Sequence, residues 1–144
     1  MATYEILIAD DHPLFRSALH QAVTLELGVD VRLVEVGSIA ELETQLTDKT
    51  DWDLVLLDLN MPVMDGISAL PLIRQRWPSI RILALTSRLS EQNAALALDA
   101  GADGYVLKNS TSEVLVTAIA TLLTGKPFLD AHLNTDQVAA LRAN

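Results

Sequence analysis

Five short apolar runs alternate with segments of helical periodicity, and this alternation restricts the fold more than any other feature of the chain. The runs occupy residues 4–9, 31–36, 54–57, 80–85 and 104–107. They are nearly continuous in hydrophobicity, as expected of strands that are covered on both faces. Strands that alternate with helices form parallel sheets with right-handed crossovers. The sequence therefore predicts an α/β fold, a doubly wound five-stranded parallel sheet with five helices.

Residues that start or end helices support this division. Pro13 suits the first turn of the first helix. Ser38 and Glu41 form a capping-box pattern before the second helix, and Ser90 can cap the fourth. Glycines that can terminate a helix follow the first, fourth and fifth helical segments; they are Gly28, Gly101 and Gly125.

Composition excludes several classes of protein. The formal net charge of −9 argues against direct binding of DNA or of an anionic membrane by this chain. The chain has no cysteine, so it can form neither a disulfide nor a thiolate metal site. No stretch approaches the roughly 20 apolar residues of a membrane span, and the N-terminus lacks the pattern of a signal peptide. We therefore expect a cytoplasmic protein without a membrane partner.

Polar residues follow four of the five predicted strands and suggest the chemistry. Asp10 and Asp11 follow the first strand, Asp58 the third, Thr86 the fourth and Lys108 the fifth. Ligands bind at the carboxyl ends of parallel strands, so these side chains are expected to meet at one edge. Crowded carboxylates repel one another unless a cation neutralises them or one of them takes up a proton. For a cation, the all-oxygen ligand set favours Mg2+. The pattern indicates a magnesium site beside an aspartate that can accept a phosphoryl group, with a lysine to neutralise it.

Beyond this pattern, the chain resembles the receiver domain of bacterial two-component response regulators over residues 4–125. The matching segments are Ile8-Ala9-Asp10-Asp11-His12-Pro13, Leu56-Leu57-Asp58-Leu59-Asn60-Met61-Pro62, Met64-Asp65-Gly66, Thr86-Ser87 and Ala100-Gly101-Ala102-Asp103-Gly104-Tyr105-Val106-Leu107-Lys108. The run from Asp10 to Arg16 is similar to the group with a LuxR/NarL-type output domain. The resemblance implies the flavodoxin-like or CheY-like strand order 2-1-3-4-5.

The resemblance also implies roles for individual residues. Asp58 would be the phosphoacceptor. Asp11 would bind Mg2+ directly and Asp10 through a water molecule, while Asp58 and the backbone carbonyl of Asn60 would complete the protein ligands. Lys108 would pair with the phosphoryl group.

Two residues are implied to form the switch. Thr86 would hydrogen-bond to the phosphoryl group through its hydroxyl, and Tyr105 would be the aromatic rotor that follows it inward. The alternative for Tyr105 is a half-buried strand aromatic with its hydroxyl in water. The surface of the fourth helix, fifth strand and fifth helix would change with phosphorylation by a sensor histidine kinase. This chain would therefore act as a switch and not as an enzyme.

Two residues near the predicted pocket, Asn109 and His12, are not explained by the roles given above. Many receivers have a proline, usually after a cis peptide, directly after the lysine, and Asn109 stands there in this chain. We expect a trans peptide, since a cis bond before a non-proline residue is costly. For His12 we expect a solvent-exposed position at the start of the first helix, without a role as ligand or phosphodonor.

The last residues suggest a longer protein. We predict a receiver domain over residues 1–125, followed by a linker over residues 126–144 that includes the possible start of a truncated LuxR-type helix-turn-helix domain. Output would then be transcriptional, with DNA bound only through that missing domain. The alternative is a stand-alone receiver that acts through protein contacts. The apolar last helix, or the surface formed with the fourth helix and fifth strand, could mediate homodimerisation.

An enzyme of another class is the remaining alternative. Phosphohydrolases of the haloacid dehalogenase type also use an aspartate nucleophile with Mg2+ at a strand end. They place a second aspartate two residues later, where this chain has Asn60.

Overall fold

Six parallel strands form one sheet, and helices cover both of its faces. The computed structural model describes residues 3–28, 30–61 and 66–143. The strands are β1 (Tyr4–Ala9), β2 (Val31–Val36), β3 (Leu54–Asp58), β4 (Ile82–Thr86), β5 (Gly104–Leu107) and β6 (Phe128–Leu129). The helices are α1 (Pro13–Glu26), α2 (Ile39–Asp48), α3 (Gly66–Arg76), α4 (Glu91–Asp99), α5 (Ser112–Leu123) and α6 (Thr135–Arg142).

The strand order is β2-β1-β3-β4-β5-β6. The predicted order of the first five strands is confirmed, and the predicted count is short by one strand and one helix. β6 was missed because two residues carry no measurable periodicity. β4 begins at Ile82, two residues later than predicted, because pairing with β3 starts where Val55 lies opposite Ile82.

Successive strand residues point to opposite faces of the sheet, and this alternation produces two cores. In β1, Leu7 packs on the side of α2, α3, α4 and α6, while Ile6 and Ile8 pack on the side of α1 and α5. β3 follows the same rule, and all of its residues are buried. The central strands are therefore apolar throughout because both faces are covered.

The helix ends agree with the sequence prediction. The hydroxyl of Ser38 accepts the N–H of Glu41, and the hydroxyl of Ser90 accepts the N–H of Asn93. Gly101 follows α4 with φ of +118°, a conformation that favours glycine. No helix within the described ranges has both the length and the apolarity needed to cross a membrane.

Residues 128–142, which we call the tail segment, pack against the sheet edge and α4. β6 pairs with β5 in parallel, with Phe128 opposite Gly104 and Leu129 opposite Tyr105. Val138 of α6 is buried in the core on the α4 side of the sheet. The tail segment thereby covers an edge of β5 that would otherwise expose unpaired backbone groups.

Candidate functional site

The predicted site residues meet at the carboxyl edge of the sheet. Asp10 directly follows β1 and Lys108 directly follows β5, while Asp58 and Thr86 are the last residues of β3 and β4. All four side chains are buried. The sheet topology therefore brings together residues that are up to 98 positions apart in the sequence.

Lys108 lies at the centre of the cluster. Its Nζ is 2.8 Å from Oδ2 of Asp10 and 3.3 Å from Oδ2 of Asp58. The same ammonium group lies 4.8 Å from the centre of the Phe15 ring, in a cation–π contact. Because it is held by two carboxylates and an aromatic face, the lysine partly neutralises the negative charge of the pocket.

His12 lies in the cluster, which the sequence did not predict. Its side chain is 58% exposed, as expected. However, Nδ1 is 3.1 Å from Oδ1 of Asp10, 3.2 Å from Oδ1 of Asp11 and 2.6 Å from Nζ of Lys108. Its backbone N–H also donates to Oδ1 of Asp10 at 2.7 Å. In the sequence, the position of His12 directly after Asp10 and Asp11 is the one indication that its ring lies in the cluster.

The acidic residues fit a divalent cation. Asp10, Asp11, His12 and Asp58 each offer a ligand atom, and these atoms lie within 4.8 Å of one another. Oδ1 of Asp11 is buried without a hydrogen bond. Oδ2 of Asp10 also lacks one of good geometry, so its contact with Lys108 is an electrostatic one. Buried carboxylate oxygens without donors are suitable ligands for Mg2+, which prefers oxygen.

Asp58, like Asp10, is a completely buried carboxylate of the site. Burial raises the pKa of Asp58 above its ordinary value, and the N–H of Asn60, which donates to Oδ1 at 2.9 Å, opposes this increase. The side chain of Asn60 is also engaged, since its Oδ1 accepts the N–H of Ser87. The backbone after β3 therefore orients one oxygen of Asp58, while Oδ2 faces Lys108.

The two predicted switch residues lie close together. The hydroxyl of Thr86 donates to the carbonyl of Arg88 at 2.9 Å, so it is directed to its own loop. Tyr105 is completely buried, which makes the half-buried alternative wrong. Its hydroxyl lies near Thr86 and the backbone of Ser90 without a hydrogen bond of good geometry, and burial raises the pKa of the phenol. The rotor role stays a prediction.

Two other predictions concern the loops around the pocket. The described residues contain no cis peptide bond, so the trans peptide expected between Lys108 and Asn109 is confirmed. Residues 62–65, which contribute to the Met64-Asp65-Gly66 segment, lie outside the described residues.

A family model agrees with this geometry. The model of the response regulator receiver domain matches residues 6–120. The chain belongs to this family. The resemblance stated from the sequence motifs is thereby confirmed.

Several known response regulators are similar to the chain. The nitrate/nitrite response regulator NarL of Escherichia coli is 37% identical over 139 residues, which are 96% of this chain and 63% of that protein. A LuxR family response regulator from Aurantimonas has a TM-score of 0.84 and 31% identity, over 99% of this chain and all of the other. A LuxR family DNA-binding response regulator from Silicibacter pomeroyi has a TM-score of 0.79 and 25% identity, over 90% and 99% of the two chains.

The similarities concern the receiver fold and its group, and they cover part of the length of NarL. The receiver fold and the LuxR/NarL-type group are common to the chain and its relatives. The chain spans less than two thirds of the length of NarL.

Proposed function

We propose that this receiver domain is a phosphorylation-dependent switch with Asp58 as its phosphoacceptor. The observation that carries the proposal is the position of Asp58, a completely buried carboxylate at the carboxyl end of β3 with a lysine ammonium 3.3 Å away. A buried carboxylate needs a compensating partner or a function. Here it has one cationic partner and two further carboxylates, an arrangement suited to binding a metal ion and a phosphoryl group.

The transfer step follows from the groups present. A carboxylate oxygen of Asp58 forms a bond to phosphorus while the bond from phosphorus to the donor breaks. The donor is a histidine nitrogen of a sensor kinase or the acyl oxygen of acetyl phosphate, and it leaves with the electron pair. Lys108 then pairs with a phosphoryl oxygen. Bound Mg2+, held by Asp10, Asp11, Asp58 and the carbonyl of Asn60, would neutralise charge on the transferring group.

The phosphoryl group would alter the loop after β4. The hydroxyl of Thr86 is bonded to its own loop in this structure, and it would turn to the phosphoryl oxygens, followed by Tyr105. The phosphoryl group can shift the equilibrium between two conformations of the domain only by interacting differently with each of them. Thr86 and Lys108 provide that difference, and the surface of α4, β5 and α5 would carry the change to an output.

We further propose a transcriptional output in the cytoplasm. The similar chain from Silicibacter pomeroyi is named as a DNA-binding response regulator, and the net charge of −9 argues against DNA binding by this chain itself. Residues 126–144 would link the receiver to that output domain. The phosphodonor would be a sensor histidine kinase.

Self-association would use α5 in preference to the surface of α4 and β5. The tail segment packs on α4 and extends the sheet beyond β5, so this part of the surface already contacts the same chain. On α5, five apolar side chains are buried, four of them in the core on the α1 side of the sheet, while Glu113 and Thr117 remain exposed. Sedimentation with and without a phosphoryl mimic tests this proposal, and a monomer in both conditions contradicts it.

Intact mass spectrometry tests the phosphoacceptor. The wild type, Asp58→Asn and the control Asp51→Asn are incubated with acetyl phosphate and Mg2+. Asp51 is a suitable control because it is an exposed aspartate outside the pocket. We expect a gain of one phosphoryl group in the wild type and in Asp51→Asn only. A gain in Asp58→Asn as well would place the acceptor elsewhere.

A further inference from the structure

A carboxylate of the tail segment is bonded directly to the end of β5. Asp130 is 1% exposed, and its Oδ2 accepts the N–H of Leu107 at 3.0 Å. The N–H of Asp130 in turn donates to the carbonyl of Tyr105 at 3.0 Å. Asp130 therefore binds the two backbone groups of β5 that flank Val106, immediately before Lys108.

The carboxylate of Asp130 is itself fixed. Its second oxygen, Oδ1, accepts the N–H of His132 at 3.0 Å and lies 2.9 Å from Nδ1 of the same ring. Burial alone would raise the pKa of Asp130, but these donors and the N–H of Leu107 outweigh it and hold the pKa below its ordinary value. Asp130 is thus an ionised and oriented acceptor at neutral pH, and hydrogen bonds to such an acceptor are the stronger kind.

The backbone at Lys108 depends on restraints from both of its sides. On one side, the N–H of Lys108 donates to the carbonyl of Thr86 at 2.7 Å. On the other side, the preceding N–H, that of Leu107, points away from β4 because successive N–H groups of a strand alternate in direction. Asp130 receives it. The residue that follows is Asn109, so no proline ring stiffens the backbone after the lysine.

We propose that Asp130 is a positioning residue for Lys108, and that the tail segment is thereby part of the phosphoryl site. Asp130 holds the last residue of β5 so that Lys108 extends into the pocket between Asp10 and Asp58. The same bonds transmit a displacement of Lys108 to the tail segment, in the direction of any following domain. This inference rests on the proposed function, because its effect is exerted on a group bound at Asp58.

Binding of Mg2+ and of beryllofluoride, a phosphoryl mimic, separates positioning from stability. The carboxylates would hold Mg2+, and Lys108 is not among the ligands, whereas beryllofluoride at Asp58 would lie beside the lysine. We expect Asp130→Ala to weaken beryllofluoride binding at saturating Mg2+ by about tenfold. Mg2+ affinity should not decrease, because Lys108 competes with the metal ion for Asp10 and Asp58. Asp130→Asn keeps one acceptor oxygen and should weaken it by about threefold. The matched control is Asp136→Ala, an exposed aspartate of the same segment, which should bind as the wild type.

A double-mutant cycle completes the test. In a Lys108→Ala background the effect of Asp130→Ala should disappear, because no lysine remains to be positioned. If Asp130→Ala does not fold, the threefold loss in Asp130→Asn decides the question. Unchanged beryllofluoride binding in the Asp130 variants overturns the inference, as does a parallel loss of Mg2+ binding or an equal loss without Lys108. The wild-type measurement tests the proposed function separately, because a wild type that binds no beryllofluoride would overturn that function whatever the Asp130 variants show.

Discussion

At the scale of single residues, the site is a balance of buried charges. Asp10 and Asp58 are completely buried, and Lys108 contacts both of them. An ion pair in such a place compensates a desolvation cost more than it adds stability. The buried charges of the pocket therefore lower stability in favour of a function, and substitution of Asp58 should reveal this.

Replacing Asp58 by asparagine should stabilise the metal-free protein. Burial raises the pKa of Asp58, so the folded state binds this proton more tightly than the unfolded state. The free energy of unfolding of the wild type therefore decreases as pH increases from the ordinary pKa of an aspartate through the raised pKa of Asp58. We expect Asp58→Asn to unfold in urea at pH 7 with a free energy about 1 kcal/mol higher, and with a smaller difference at pH 4. A less stable Asp58→Asn at pH 7, with Asp51→Asn unchanged, would contradict this.

Mg2+ should stabilise the folded protein through Asp11. A cation that binds only the folded state contributes about 2.7 kcal/mol at a hundred times its dissociation constant. Oδ1 of Asp11 is a buried oxygen without a hydrogen bond. We expect Asp11→Asn to lose most of this Mg2+-dependent increase in melting temperature, whereas the control Asp53→Asn, outside the cluster, keeps it. Equal stabilisation of both variants would remove Asp11 from the ligand set.

At the scale of elements, the tail segment is the main addition to the predicted fold of five strands and five helices. It docks through β6 on β5 and through α6 on α4, and two polar contacts lie near the ends of α4. The N–H of Asn134 donates to Glu91, and Arg142 pairs with Asp99 at 2.8 Å. These surface contacts contribute little by themselves, so the apolar contacts of α6 carry most of the docking.

A charge at Val138 should release α6 without unfolding the sheet. Val138 is buried in the core on the α4 side, and a buried unpaired carboxylate is strongly unfavourable. We expect Val138→Asp to increase hydrogen exchange at the amides of Leu107 and Asp130 by at least about tenfold, with β3 unaffected. The control is Ala139→Asp, which places the same charge on the exposed side of the helix. Protection retained in Val138→Asp would show that docking does not depend on α6.

Docking of the tail segment should also weaken in acid. The donors around Asp130 keep its pKa below the ordinary value, so its contribution is complete above about pH 4. It is lost as pH decreases through the lower folded value. Exchange or chemical shift of the Leu107 amide, followed from pH 5 to pH 2, measures this. Asp130→Asn should remove the pH dependence, and an unchanged profile in that variant would assign the transition to another group.

At the scale of the whole molecule, the sequence predicts the alternating strands and helices and the polar residues at the ends of the strands. The first five strands, their order and the meeting of Asp10, Asp58, Thr86 and Lys108 follow from the alternation of elements and from one rule about sheet edges. Two features did not follow. The strand of the tail segment is too short for periodicity. The approach of the His12 ring to Asp10, to Asp11 and, at 3.9 Å, to Asp58 depends on side-chain geometry after the strand.

The central claim is that a phosphoryl group on Asp58 changes the loop after β4 and the end of β5. Nitrogen–proton correlation spectra of the wild type, recorded with Mg2+ before and after addition of acetyl phosphate, test it most directly. We predict shifts at the amides of Arg88, which now donates to Thr86, and of Lys108, with none in Asp58→Asn beyond those of Mg2+ alone. Spectra that do not change on phosphorylation of the wild type, or that change equally in Asp58→Asn, would contradict the claim.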